Sequence, residues 1–169
     1  MTVDPAIFKA AMRHFPAAVN VVTCAYEGGC RGMTATAVCS LCVEPVPSLL
    51  ACVNRSSSIY PCLSASRAFA VNVLDFQQEE IARLFASSRP EDREMRFRAG
   101  TWSRLVSGAP ILDGAVVAFD CVLSKEIEHG THSIIVGTVM DLRINDSASH
   151  LMYVGGAFTE IVPPRDHAA

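Results

Sequence analysis

The stretch Gly32-Met33-Thr34-Ala35-Thr36-Ala37-Val38-Cys39-Ser40 sets small side chains and hydroxyls two residues apart. On a strand, Thr34, Thr36 and Ser40 would share one face as hydrogen-bond donors. The small residues between them would let a flat ligand approach the backbone. The plainer alternative is an edge strand rich in β-branched residues. Asn54-Arg55-Ser56-Ser57-Ser58 follows an apolar run and combines three hydroxyls, one guanidinium and the amides of an opening helix. Those groups make a phosphate cradle, although a solvated turn with serine caps has the same composition. Gly130-Thr131-His132 interrupts two strand-like runs. A histidine there either faces a cleft and contacts a bound ring or simply ends a strand.

Metal chemistry is the competing use of these residues. Cys39-x-x-Cys42 has the spacing of a zinc or redox pair, and His129-x-x-His132 would add two ligands. On a strand, however, residues three apart point to opposite faces, and no second C-x-x-C exists to complete four ligands. Packed core thiols are the plainer reading, and no metal is expected. His14, His150 and His167 have no suggestive neighbours and read as surface residues, while Trp102 and Phe97 read as packing. The chain contains no G-x-G-x-x-G, no G-x-x-x-x-G-K-[ST] and no G-x-S-x-G. A Rossmann dehydrogenase, a P-loop enzyme and the commonest hydrolase design are therefore not indicated.

Composition narrows the class further. The 169 residues (18.2 kDa) are 50% hydrophobic and only 18% charged, with a mean hydropathy of +0.29. A chain of this size and composition removes roughly 70% of its unfolded surface from water and is not disordered. The net charge of −3 gives no footprint for a phosphate backbone, so nucleic acid is not an expected partner. The apolar runs are too short to span a bilayer, and the apolar surplus points to a buried subunit interface. The N-terminus lacks the pattern of a signal peptide, and the seven cysteines fit free or buried thiols in a reducing cytoplasm.

The elements that must position these residues follow from periodicity. A helix capped by Asp4 carries Ile7, Phe8, Ala11, Met12 and Phe15 on one face and stops at Pro16. Strands are expected over Ala18–Ala25, Thr34–Val43, Ser48–Asn54, Phe69–Leu74, Gly114–Leu123, Ser133–Ile144 and Leu151–Val154, with a turn at Gly28-Gly29. Ser56–Ala65 reads as a short helix. Asp75 and Gln78 form a capping box ahead of a helix whose inward face is Ile81, Leu84 and Phe85. Ser87–Gly100, the most charged stretch, reads as an exposed connection flexible enough to act as a lid, and Pro163-Pro164 opens the closing tail. Strands outnumber helices and turns are short, so a single domain over residues 1–169, built as an antiparallel barrel with a few peripheral helices, is expected.

Taken in order, these segments resemble the flavin reductase family that supplies reduced flavin to two-component monooxygenases. The stretches that carry the likeness are F-P-A-A-V-N-V-V-T from Phe15, G-M-T-A-T-A-V-C-S from Gly32, V-N-R-S-S from Val53 and F-A-V-N-V-L from Phe69. The helix with Gln77 and Phe85, then Gly108-Ala109-Pro110, Phe119-Asp120-Cys121 and Gly130-x-His132, extend it over about residues 8–158. The variants A-A-V-N, A-V-C-S, V-N-R and G-T-H are most similar to the pyrimidine-utilisation branch. The family usually has G-D-H where this chain has Gly130-Thr131-His132.

The resemblance implies a split β-barrel homodimer of the FMN-binding type, with FMN or FAD near the subunit interface and NADH as reductant. It implies that Met33, Thr34, Ala35, Thr36, Ala37 and Ser40 line the isoalloxazine and ribityl chain. Asn54, Arg55, Ser56 and Ser57 would hold the phosphate region, Asn72 would lie near the ribityl chain or ring, and His132 would contact the nicotinamide. Hydride transfer between stacked rings needs no general base, only position and donors such as the amides near Thr34 to Ala37. The implied partner is a monooxygenase that receives reduced flavin. Alternatives on the same fold are direct reduction of a cobalt corrinoid or ferric complex, or an electron carrier without a nicotinamide site.

Overall fold

A computed structural model describes residues 2–146 and 149–162, so Pro163-Pro164 and His167 lie outside the described residues. The chain opens with α1 (Pro5–Met12), whose first turn is closed by the Asp4 carboxylate accepting from the Ala6 amide at 2.7 Å. It then forms β1 (Ala17–Ala18), β2 (Asn20–Tyr26), β3 (Gly29–Ala35), β4 (Val38–Cys42) and β5 (Ser48–Asn54). Next come α2 (Tyr60–Ser66), β6 (Ala68–Val73), a single 3-10 turn (Phe76–Gln78), α3 (Glu79–Ala86) and α4 (Pro90–Met95). Strands β7 (Trp102–Arg104), β8 (Pro110–Leu112), β9 (Val117–His129), β10 (His132–Ile144), β11 (His150–Val154) and β12 (Ala157–Ile161) complete it.

Seven strands form one sheet in the order β3-β2-β6-β9-β10-β5-β4, and every neighbouring pair is antiparallel. The two outermost strands, β3 and β4, are consecutive in the chain and joined only by Thr36 and Ala37. Three Cα steps span at most about 11 Å. A flat seven-stranded sheet would be about 29 Å wide, so this sheet must curl until its edges approach. The edges do not pair, and the sheet stays open along the Thr36–Ala37 seam. The antiparallel, mainly β architecture is as expected; a barrel closed by hydrogen bonds is not what forms. The continuous strand expected over Thr34–Val43 is also corrected, because the chain leaves one edge at Ala35 and enters the other at Val38.

The curl encloses one apolar cluster, containing Val22, Cys24, Leu49, Val53, Phe69 and Ile135, to which α2 adds Ile59 and Leu63. A second cluster lies on the outer face of β2 and β3, where Val19 and Val21 meet Ile81, Ala82 and Phe85 of α3. The amphipathic face expected of α3 is therefore correctly aimed. The capping box is present too: the Asp75 side chain accepts from Gln77, and the Gln78 side chain accepts from the Asp75 amide at 3.0 Å.

The 87–100 segment is the exposed connection that the sequence suggests, with the short helix α4, but its C-terminal part is anchored. Arg96 is buried, and its guanidinium donates to the carbonyls of Leu84, Gly32 and Ser87 at 3.0, 3.1 and 2.6 Å. Phe97 and Trp102 close against Phe85 with centroid separations of 5.2 and 5.6 Å, in keeping with their expected packing role. His150, expected at the surface, is half-buried and bridges β11 to Asp75, with a ring nitrogen out of contact with solvent. Among the described residues, no helix is long and apolar enough to cross a membrane.

Candidate functional site

Three of the singled-out segments converge at one end of β5. The Cys52 amide donates to the Ala37 carbonyl at 2.9 Å, which ties the seam to β5 two residues before its end. Asn54, the last residue of β5, stands opposite His132, the first residue of β10. The Arg55 amide donates to the Thr131 carbonyl at 3.0 Å, and the Arg55 guanidinium pairs with Glu128 at 2.9 Å. Thr36–Ala37, Asn54–Ser57 and Gly130–His132 are thus held together by backbone hydrogen bonds. Ser40 pairs with Leu49, five positions back along β5 from Asn54, and is exposed on the edge strand.

The seam is the part best shaped for a flat ligand. Thr36 and Ala37 are exposed and carry small side chains. Their amides donate to no partner among the described residues. Two free N–H groups on an exposed backbone are the donor set that a ring bearing carbonyl and nitrogen acceptors needs, so these residues fit a flavin. Beside Thr36 lies a cleft of about 690 Å³, lined by Thr34, Thr36, Arg83, Tyr153 and Phe158 among others. The sequence reasoning missed the last three. Their signal was an aromatic on each side of Gly155-Gly156, which form the positive-φ turn between β11 and β12. Arg83 lies 4.9 Å above the Phe158 ring and is fixed by Glu79.

Other expected roles change in place. Thr34 does not present a free hydroxyl beside Thr36 and Ser40, because it donates to the Ala82 carbonyl of α3 at 2.7 Å. The seam also breaks the strand alternation that would have aligned the three. Met33 packs against the enclosed cluster and Ala35 belongs to it, so these two offer mainly backbone to a ligand.

Asn72 is removed from the site altogether. It is fully buried, its amide donates to the Val21 carbonyl at 3.1 Å, and its oxygen accepts from Leu112 at 2.8 Å. It fastens β8 across β6 and β2 and has no surface for a ribityl chain.

The phosphate cradle is also different from a helix end. Helix α2 starts only at Tyr60, and the amides of Ser56 and Ser57 are taken by the Asn54 side chain and carbonyl at 2.9 and 3.0 Å. The Ser56 and Ser57 hydroxyls also donate to Asn54, to its side-chain oxygen at 2.8 Å and its carbonyl at 2.5 Å, so the group left to meet an anion is the Arg55 guanidinium. The side chains of Arg55 and Glu128 are 41% and 57% exposed, so their ion pair is weak enough to be exchanged for a phosphate. His132 is exposed; its Nδ1 lies 2.9 Å from the Thr131 hydroxyl, which orients the ring and leaves Nε2 open.

The cysteines do not assemble a metal centre. Among the described residues, no three His, Cys, Asp or Glu side chains are grouped to hold an ion. Cys39 and Cys42 are exposed on β4 rather than packed in the core, because β4 is an edge strand. Cys24 and Cys121 are the buried thiols. Burial pushes both up, Cys121 to about 12 with help from the neighbouring Asp120 charge, so neither is a thiolate at neutral pH.

Comparison with known proteins gives one consistent answer. The family described as "Flavin reductase like domain" matches residues 12–161. The chain is 42% identical over 146 residues to the FMN reductase (NADH) RutF 2 of Rhizobium rhizogenes, covering 86% of this chain and 83% of the relative. It is 38% identical over 157 residues to the FMN reductase (NADH) RutF of Variovorax paradoxus, covering 93% and 86%. Among solved structures, the NADH:FAD oxidoreductase SgcE6 of Streptomyces globisporus, in complex with NAD and FAD fragments, has a TM-score of 0.86 at 32% identity, covering 98% of this chain and 99% of that one. BorF, the flavin reductase component of a bacterial two-component tryptophan halogenase, has a TM-score of 0.85 at 31% identity, covering 95% and 100%.

Proposed function

The chain belongs to the flavin reductase-like domain family, and from that premise we propose that it is an NADH-dependent FMN reductase delivering reduced flavin to a partner monooxygenase. The observation that carries this is the junction of the Thr36–Ala37 seam, the Asn54–Ser57 turn and His132 at one end of β5. Bound flavin supplies the acceptor for a hydride from the reduced nicotinamide.

The protein's part is position and charge. The free amides of Thr36 and Ala37 donate to the ring system and stabilise the negative charge that reduction places on it. Arg55 holds the phosphate, with the Ser56 and Ser57 hydroxyls available only by giving up their bonds to Asn54. His132, oriented by Thr131, donates from Nε2 to the nicotinamide carboxamide. Hydride transfer between the rings needs no proton abstracted by the protein.

The fold is read as a split barrel, with the seam as the split, in a single-domain, cytoplasmic homodimer. Support for the homodimer comes from apolar surface that the described residues leave uncovered. Ile7, Phe8, Met12 and Phe15 of and after α1 are exposed, as are Leu41, Val43, Ile127, Met140 and Ile144. Patches of this kind mark interfaces. No residue of α1 is buried, so its apolar stripe is left open to solvent by the described residues.

The deciding experiment is aerobic NADH oxidation by purified protein, with and without FMN. Turnover that requires FMN and saturates with it is expected; a flavin-type spectrum without NADH turnover would make the protein a carrier instead. Two variants assign the roles. Arg55→Ala should raise the dissociation constant for FMN about tenfold and leave riboflavin unchanged, since a charge-assisted contact of roughly 1.5–3 kcal/mol is lost and a weak surface pair is given up in forming it. Equal effects on both flavins would take Arg55 off the phosphate. His132→Ala should lower kcat/KM for NADH by about tenfold while flavin affinity stays within about twofold. The reverse pattern would place the imidazole on the flavin.

A further inference from the structure

We infer that the cleft between β3 and α4 is a second phosphate subsite, taking an adenylate phosphate of an adenine dinucleotide, either the distal phosphate of FAD or one from the nicotinamide dinucleotide. The cleft measures about 390 Å³ and is lined by Arg31, Arg93, Arg96 and Ser58, with Glu94 as its carboxylate. It adjoins a second cleft of about 410 Å³ that shares Arg31 and Ser58. Together they offer the space of an ordinary small-molecule site.

Three features give the cleft its chemistry. Arg31 donates once, to the carbonyl of Cys30 at 2.8 Å, and neither it nor Arg93 forms an ion pair among the described residues. Both are exposed, so five-donor forks remain free to close on an anion. Behind them Arg96 is buried and held by three carbonyls, with no carboxylate in contact. Burial, and then the charge of Arg93, lower its pKa, against a smaller opposing effect of Asp92. Of the acids nearby, Glu94 lines the cleft and Asp92 is occupied by Arg89 at 2.8 Å.

Position ties the cleft to a nucleotide. Ser58 follows the Asn54–Ser57 turn directly and lines the cleft, so a ligand whose first phosphate rests on Arg55 continues past Ser58 toward Arg31 and Arg93. This direction rests on the placement of the flavin phosphate proposed above. The charge of the cleft does not.

The test is titration of FMN, FAD and riboflavin into the full-length protein and its Arg31→Ala/Arg93→Ala and Arg31→Lys/Arg93→Lys variants, with KM for NADH measured alongside. Both arginines are exposed, and thermal melts verify that the variants fold. For the alanine pair, the dissociation constant of FAD should rise about tenfold or more while that of FMN stays within about twofold, and the lysine pair should recover part of the loss. An unchanged FAD affinity with a tenfold rise in KM for NADH supports the subsite and assigns it to the nicotinamide dinucleotide. Equal weakening of FMN and FAD, or no change in any constant, overturns it. If Arg55→Ala fails to separate FMN from riboflavin while the Arg31/Arg93 pair still loses FAD, the first-phosphate placement falls and the subsite stands.

Discussion

Gly32→Ala should lower the stability of the protein by about 2–3 kcal/mol, a fall in melting temperature of about 5–10 °C. An ideal Cβ at residue 32 would lie 2.5 and 2.8 Å from Phe85 ring carbons and 3.0 Å from the Val22 carbonyl oxygen. The ring cannot step aside, because Phe85 is buried and packed between Phe97 and Trp102. Gly32 thus allows α3 to lie directly on β3, and that contact also delivers the Ala82 carbonyl to the Thr34 hydroxyl. The change should therefore reach the seam: flavin affinity should fall along with melting temperature. Phe85→Leu in the same chain should restore part of the stability, a non-additivity that a double-mutant cycle reads directly. A melting temperature within 1 °C of the parent would show the close approach to be absent.

Asp120→Ala should cost about 2–4 kcal/mol, since it removes both acceptors of a buried pair of donors. The Asp120 carboxylate is fully buried in β9; one oxygen accepts from the Ser107 amide at 2.6 Å and the other from the Ser107 hydroxyl. That hydroxyl in turn accepts from the Ala109 amide at 3.2 Å. One side chain organises the loop that leads into β8. Asp120→Asn should cost less, because its Oδ1 can still accept from the Ser107 amide while its NH2 donates to the Ser107 hydroxyl oxygen. Chemical denaturation measures both, and a loss below about 0.5 kcal/mol for Asp120→Ala would mean that water satisfies Ser107 equally well. The side chain is distant from the seam in the chain's hydrogen-bond network, so flavin affinity in the folded variant should hold.

The two residues illustrate what the sequence makes legible. Gly32 drew notice as a small residue near a ligand, whereas its smallness serves a helix that packs from the other side. Strand β5 was readable to the residue, Ser48–Asn54, because alternation and flanking turn residues agree there. The capping box at Asp75 was readable for the same reason, being a local contact. The break at Thr36–Ala37 was not, since hydroxyl and methyl side chains continue the strand pattern straight through it. Only the long-range need to join opposite sheet edges ends β3 there.

Asn72 shows the converse failure. An asparagine inside an apolar run announces a buried polar role, but sequence does not say whether its partner is a ligand or the Val21 and Leu112 backbone. The arginines of the β3–α4 cleft were visible as charges, and nothing local brings Arg31 beside Arg93.

The seam has a further meaning for how the chain assembles. Three hairpins, β2–β3, β4–β5 and β9–β10, are local in sequence and form early, because closing a short loop costs little. Strands β3 and β4 are neighbours in the chain but never partners, so the first two hairpins cannot zip into one sheet. They wait for β10, whose residues 132–138 pair with 48–54. On a ribosome, β5 therefore emerges with one edge bare long before its partner is made. The contacts of Asn54 with His132 and of Arg55 with Thr131 require β10, so flavin capture is expected only of chains in which β5 and β10 have paired.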